Sequence, residues 1–339
     1  MNKDRARGAL LGLAVGDALG TTYEFERVDQ PAYPTLATGP ATDVVGRGPF
    51  GLPAGAITDD TQLAVCLARS LADRGGFEAA DVARRYVAWM EGAFDIGNQT
   101  GGALRRIAAG QEDAGVATWR ASAHHAAGNG SLMRTAPLAV ALAGAPPQAL
   151  LDAAIAESMI THADPRCALA CAAFDAAIAY GVRDSGDANA MFTAAQEGLA
   201  AGTLRLALAW AHEDPVEREL VTHARIALEA DLAAAAAADP GVYTELHLHR
   251  TAGFVRVAFR LAFWHLLHTP SWRAALVDVA SRGGDADTNA AIVGALLGAR
   301  DGASAIPEAW RFRVLSATQR GTPAWGAAHH PRHLLPLAE

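Results

Sequence analysis

Two short stretches carry residues whose types and spacing could do chemistry. Asp285 and Asp287 follow Gly283-Gly284 and precede Thr288, at the head of an apolar, small-residue run. Far upstream, Thr58, Asp59 and Asp60 open a second run of the same kind. Closely spaced carboxylates with a hydroxyl beside them form a hard-oxygen donor set suited to Mg²⁺ or Mn²⁺. The same residues also start ordinary helices, where Thr and Asp cap the chain and acids meet the helix dipole. Adjacent carboxylates repel, so keeping both ionised favours a cation beside them. Together the stretches offer four carboxylates and two hydroxyls, enough for two metal ions with shared ligands, provided the two helix starts face each other. Simpler patterns fail. Leu63 stands where a DDxxD motif needs its third acid. An EF-hand loop from Asp285 would place Ala290 at the glycine position and Leu296 at the terminal glutamate.

Elements able to position these stretches are helical. The chain has 339 residues, 51% of them hydrophobic and 6% aromatic, and is rich in Ala, Leu, Arg and Glu. That composition predicts an all-α protein whose helices pack through small side chains, and no linker-like stretch divides residues 1–339, so a single domain is expected. Gly8, Gly12, Gly16 and Gly20 recur every four residues on the first helix, expected over Asp4–Leu19, and lay a glycine stripe along one face. The apolar run there is too short to span a bilayer, which needs about 20 residues. Net charge of −8 argues against nucleic-acid binding. Cys66, Cys167 and Cys171 form no disulfide framework, which points to a reducing compartment. A cytoplasmic monomer with no membrane or nucleic-acid partner is the expectation.

Further helices are expected over Thr58–Arg74, Phe77–Met90, Leu104–Ala109, Pro147–Ile160, Arg166–Val182, Thr251–His268 and Trp272–Ala280. Residues 31–55 hold five prolines and cannot form regular helix. A loop of that length inside a compact domain is more often functional than idle. Gly128-Asn129-Gly130-Ser131 is either a plain turn or a glycine loop whose backbone N–H groups meet an anion. By themselves Glu24 reads as a surface residue and His162 as a structural histidine.

Taken in order, five motifs change that reading. They are Gly16-Asp17-Ala18-Leu19-Gly20 with Glu24, Thr58-Asp59-Asp60-Thr61, Gly128 through Arg134, Thr161-His162, and Gly283-Gly284-Asp285-Ala286-Asp287-Thr288-Asn289. Across nearly the whole chain this set resembles the ADP-ribosylglycohydrolase family. The resemblance implies an all-α, compact orthogonal multi-helix bundle with a binuclear cleft holding two Mg²⁺ or Mn²⁺ ions. It implies Thr58, Asp59 and Asp60 as ligands from one side and Asp285, Asp287 and Thr288 from the other. Glu24, Asp59 and Asp60 become candidates for proton transfer. Gly128, Asn129, Gly130, Ser131 and His162 become substrate-binding residues. Phe254 takes the place of an adenine-stacking tyrosine, keeping the ring and losing the hydroxyl. The implied activity is metal-dependent hydrolysis of the bond joining ADP-ribose to an acceptor, with arginine on a protein foremost. A catalytically inactive ADP-ribose-binding module and a hydrolase of serine-linked or small-molecule conjugates are the alternatives. Residues 184–240 match no part of the pattern and are expected to shape the cleft mouth for a protein substrate.

Overall fold

Glycine at every fourth position lets one helix lie directly on the backbone of another, and this contact sets the geometry of the bundle. The computed structural model describes residues 1–244 and 246–339. Among them the secondary structure is fifteen α-helices, short 3₁₀ turns and isolated bridges with no sheet, as the composition predicts. In chain order the helices are α1 (Lys3–Gly20), α2 (Asp59–Arg74), α3 (Ala79–Met90), α4 (Asn98–Ala108) and α5 (Ala114–Ala121). Then come α6 (Ala136–Ala141), α7 (Pro147–Met159), α8 (Pro165–Arg183), α9 (Ala188–Ala209) and α10 (Pro215–Ala235). Last are α11 (Val255–His268), α12 (Trp272–Ser281), α13 (Ala286–Asp301), α14 (Glu308–Ser316) and α15 (Pro323–Ala328).

Helices α1 and α13 form the centre. They run antiparallel, with Gly8 against Gly298, Gly12 against Gly294, Gly16 against Ala290 and Gly20 against Ala286. A Cβ placed on any of the four glycines would collide with a backbone carbonyl of α13. The Trp272 indole donates to Gly294 O at 3.0 Å and locks α12 onto the same seam. Residues 286–299 of α13 are all buried. The C-terminal end of α1 therefore lies beside the N-terminal end of α13.

The proline-rich loop is ordered by one buried cation rather than by regular structure. Arg282 donates to Pro31 O (2.9 Å) and Thr35 O (3.0 Å), pairs with Asp278 (2.8 Å), and sits 3.8 Å from the centre of the Tyr33 ring. Asp278 in turn accepts from Ala37 N and from the Tyr33 hydroxyl.

Several expected boundaries move for identifiable reasons. Helix α4 starts at Asn98, inside the glycine stretch expected to be a break, because burial of Thr100 and Gly101 outweighs glycine's low propensity. Helix α11 starts at Val255 instead of Thr251, since Gly253 has φ +77° and Phe254 is extended in a bridge to Gly128. Residues 184–240 fold into α9 and α10, which pack on α8 and α11. The C-terminal segment folds back, burying Leu334 and Ala338. Helix α8 is long and apolar enough to cross a membrane, but most of it is buried inside the protein.

Alanine forms helix better than glycine by about 1 kcal/mol. Gly12→Ala is nevertheless expected to destabilise the protein by about 3 kcal/mol or more, because its Cβ meets backbone that cannot rotate away. Thermal or denaturant unfolding measures this, and unchanged or increased stability would contradict the seam.

Candidate active site

Asp17, three residues before the end of α1, fastens the first candidate stretch. Its buried carboxylate accepts from Thr58 N (3.0 and 3.1 Å), Thr58 Oγ1 (3.0 Å), Thr61 N (3.1 Å) and Thr61 Oγ1 (2.6 Å). A helix start normally takes its cap from its own side chains. Here the α2 cap comes from another helix, and the Thr58 side chain makes no capping bond of its own. Nor does Asp285, the residue at the N-cap of α13. Neither side chain is used to cap its own helix.

The two helix starts do meet. Thr58 Oγ1 lies 3.1 Å from Asp60 Oδ2 and 3.5 Å from Asp287 Oδ2. Reciprocally, Thr288 Oγ1 lies 3.5 Å from Asp60 Oδ2. Carboxylate oxygens of Glu24, Asp285 and Asp287 can all lie within 4.8 Å of one another. Glu24 arrives on the loop after α1, which is zipped to the second motif: Phe25 N donates to Gly284 O (2.7 Å) and Gly284 N to Glu26 O (2.9 Å). Gly283 and Gly284 have φ of +70° and +71°, and a Cβ on Gly283 would strike Glu26 O, so this junction demands glycine.

The centre is acidic throughout. Among the described residues, no Lys, Arg or His forms an ion pair with Glu24, Asp59, Asp60, Asp95, Asp285 or Asp287. Burial, followed by repulsion from neighbouring acids, drives Asp59, Asp60 and Asp287 well above the usual carboxylate range. The same causes push Glu24 up to about 11. Asp95 is raised to about 6 by burial and by Asp285, and it shares a hydrogen bond with Asp59. Glu24 Oε2 and Asp60 Oδ1 are buried with no hydrogen-bond partner. Orphaned oxygens, an all-oxygen donor set and unbalanced charge fit divalent cations such as Mg²⁺ or Mn²⁺. The α2 and α13 N-termini lend partial positive charge that offsets some of the repulsion.

Beside this centre is a cavity of about 400 Å³, within the range of small-molecule sites. Glu24, Asp59, Asp95, Asp285, Asp287 and Thr288 line it, and Gly128, Asn129, Gly130 and His162 contribute as well. Thr58 and Asp60 are buried behind that lining. Asn129 Nδ2 donates to Asp285 Oδ2 at 2.6 Å, tying the glycine loop to the acids. Two of that loop's N–H groups are already used: Gly128 donates to Gln99 Oε1 and Asn129 to Gly253 O. Gly130 and Ser131 N–H have no such partner among the described residues. The Ser131 side chain does not face the cavity. It bonds Ser158 and Cys171 in the core. Phe254 also stays out of the cavity lining, with the guanidinium carbons of Arg166 and Arg256 at 5.4 and 6.0 Å from its ring. No described residue of 184–240 lines this cavity. Residues of α10 instead border a separate hollow with Arg166 and Arg256.

His162 is set by a buried relay. Arg134 Nη2 donates to Thr161 Oγ1 (2.9 Å), and Thr161 Oγ1 lies 2.7 Å from His162 Nδ1. Arginine can only donate, so the Thr161 hydroxyl proton has Nδ1 as its acceptor. That leaves Nε2 protonated, beside Gly128 and Gly130. Burial and the Arg134 charge hold the imidazole well below its ordinary value, hence neutral. A Cβ on Gly130 would come within 2.9 Å of the ring.

Asp17 and Arg134 stand inside motifs of the sequence that assign them no role, and Asp95 stands in none. A lone acid in an apolar, glycine-striped helix was the available signal for Asp17. Asp95 sits in a loop with no local pattern, and only the fold brings it to Asp59.

Known proteins place this arrangement. Residues 1–328 match the profile of the ADP-ribosylglycohydrolase family, and the chain belongs to that family. It is 31% identical to the ADP-ribosylarginine hydrolase Tri1 of Pseudomonas putida over 326 residues, covering 92% of this chain and 74% of that protein. It is 29% identical to the dinitrogen reductase ADP-ribosyl glycohydrolase of Rhodospirillum rubrum, covering 94% and 92%. A solved structure described as an ADP-ribosylglycohydrolase-related protein complex superposes with a TM-score of 0.66 at 27% identity, covering 99% of each chain.

Raised carboxylates bind more protons in the folded chain than in the unfolded one. Their contribution to stability is therefore full at low pH and lost as pH rises through the folded values, which for Glu24 reaches about 11. His162 and His265, held below their ordinary value by burial, are neutral above pH 7 and do not oppose this trend. EDTA-treated protein is expected to lose stability from pH 7 to pH 8, by about 1.4 kcal/mol per pH unit for each proton held only by the folded state. Asp60→Asn should flatten the slope. Rising stability over this window in a melting series would contradict the charge balance.

Proposed function

We propose that the protein removes ADP-ribose from an ADP-ribosylated acceptor, foremost arginine on a protein, with two Mg²⁺ or Mn²⁺ ions in the acidic centre. The observation that carries this reading is the meeting of Thr58-Asp59-Asp60 with Asp285-Ala286-Asp287-Thr288 beside a ligand-sized cavity. The names of the relatives, one an ADP-ribosylarginine hydrolase and one acting on dinitrogen reductase, support the acceptor class.

Thr58, Asp59 and Asp60 would hold the ions from the α2 side, and Asp285, Asp287 and Thr288 from the α13 side. The ions would supply Lewis-acid charge that orients ribose hydroxyls and lowers the pKa of water toward neutrality. The protein's own groups do the rest. Asp17 fixes Thr58 and Thr61, and with them the direction of Asp59 and Asp60. Asn129 orients Asp285. Glycosidic cleavage builds positive charge at the anomeric carbon, which a cluster of carboxylates stabilises. Of Glu24, Asp59 and Asp60, Glu24 and Asp59 line the cavity, and with cations bound to offset the repulsion that keeps them protonated they would be the groups to take a proton from an attacking water. Asp95, bonded to Asp59, is positioned to receive that proton in turn. His162 Nε2–H and the Gly130 N–H, both on the cavity lining, are the donors for the diphosphate and ribose of ADP-ribose.

The test is release of ADP-ribose from ADP-ribosyl-arginine, ADP-ribosyl-serine and O-acetyl-ADP-ribose, with and without Mg²⁺. Turnover of the arginine conjugate is expected, falling about a hundredfold or more in EDTA and in Asp59→Ala and Asp287→Ala. Full activity in EDTA or in either variant would overturn the metal reading. Failure on all three conjugates would overturn hydrolysis.

A further inference from the structure

Phe25 lines the acidic cavity while 69% of its surface faces water. Its neighbour Glu24 is buried. The alternation follows from the zipper between this loop and the second motif, in which Phe25 N bonds Gly284 O and Arg27 bridges Gly283. That register turns Glu24 inward and leaves the Phe25 ring at the rim. Phe25 also has φ +62°, a left-handed backbone that a bulky side chain rarely adopts. Fold stability explains neither feature. An exposed ring buries little apolar surface, and glycine would relieve the backbone. Strain of this kind concentrates where a ligand is held.

The chemistry of the rim says which ligand. Glu24, Asp59 and Asp95 line the same cavity, and among the described residues no cationic side chain pairs with them. A planar cation satisfies both features together, since a guanidinium stacks its face on an aromatic ring and donates its N–H groups to carboxylates. A serine ether oxygen or an acyl ester gains neither contact. We propose that Phe25 is a specificity-determining residue, the platform on which a guanidinium acceptor stacks while its N–H groups face the cavity acids. The proposal rests on the hydrolase reading above and narrows it to arginine-type acceptors.

Steady-state kinetics of Phe25→Ala and Phe25→Trp on ADP-ribosyl-arginine and O-acetyl-ADP-ribose test it, with calorimetric binding of ADP-ribose alongside. Phe25→Ala should raise KM for the arginine conjugate about five- to tenfold, leaving kcat within about twofold. KM for the acetyl ester and Kd for ADP-ribose should not change, and Phe25→Trp should keep the arginine KM. Because the ring is exposed, Phe25→Ala should melt no lower than the parent protein. Equal losses on both conjugates, or weakened ADP-ribose binding, would make Phe25 an adenosine contact and overturn the proposal. An unchanged arginine KM would overturn it as well. The same comparison by calorimetry in an Asp59→Asn background, with ADP-ribosyl-arginine against ADP-ribose, stands independently of turnover. A parent protein that releases ADP-ribose from neither conjugate sinks the hydrolase reading, while that binding ratio still decides the role of Phe25.

Discussion

Carboxylates from distant parts of a chain can be gathered at one point only if the backbones carrying them approach closely, and the seam between α1 and α13 supplies that approach. Glycine carbonyls of one helix fill the space that side chains would occupy on the other. The antiparallel pairing puts the end of α1 beside the start of α13. Asp17, one turn before the end of α1, then draws in the start of α2 through four donor groups. Position of the site is thus a consequence of helix contact, with the loops adding Glu24 and Asp95 afterwards.

Charge is handled differently here than elsewhere in the molecule. Asp81, Glu157, Asp231 and Asp278 are buried acids, and each is paired with arginine. Breaking such pairs leaves a buried charge and is costly. At the site the acids meet one another instead, and their protonation equilibria shift upward accordingly. Two helix N-termini temper the repulsion without cancelling it. In the proposed reading, divalent cations would supply the balance that arginine supplies to Asp81, Glu157, Asp231 and Asp278, and would do so where a ligand can reach.

Much of this was legible in the sequence because it is written in local patterns. The glycine period of α1, the apolar runs of α2 and α13 and the paired acids at their heads all survive translation into structure. Capping was a fair competing account of Thr58 and Asp285, but neither side chain caps its helix: Asp17 caps α2 from outside and Asp285 is turned to Asn129, contacts that no local pattern reveals. Residues 184–240 carry no recognisable motif, and their observed part in the fold is as α9 and α10, which pack on α8 and α11. Ser131 and Phe254 lie in the expected segments, yet one side chain bonds within the core and the other ring stays outside the cavity lining. Side-chain direction at a turn depends on partners that sequence spacing does not specify. Asp95 was invisible and the role of Arg134 unassigned on the same ground, since their meaning lies in contacts with Asp59 and with Thr161.

The central claim is that two helix starts, brought together by the α1–α13 seam, build one site for two divalent cations. Electron paramagnetic resonance of the protein titrated with Mn²⁺ addresses it without reference to any substrate. Two Mn²⁺ ions bound per chain with the spectrum of an exchange-coupled pair are expected, and Asp287→Ala should abolish the coupling. A spectrum of free aqueous Mn²⁺ at stoichiometric loading, or of isolated ions that Asp287→Ala leaves unchanged, would contradict the account.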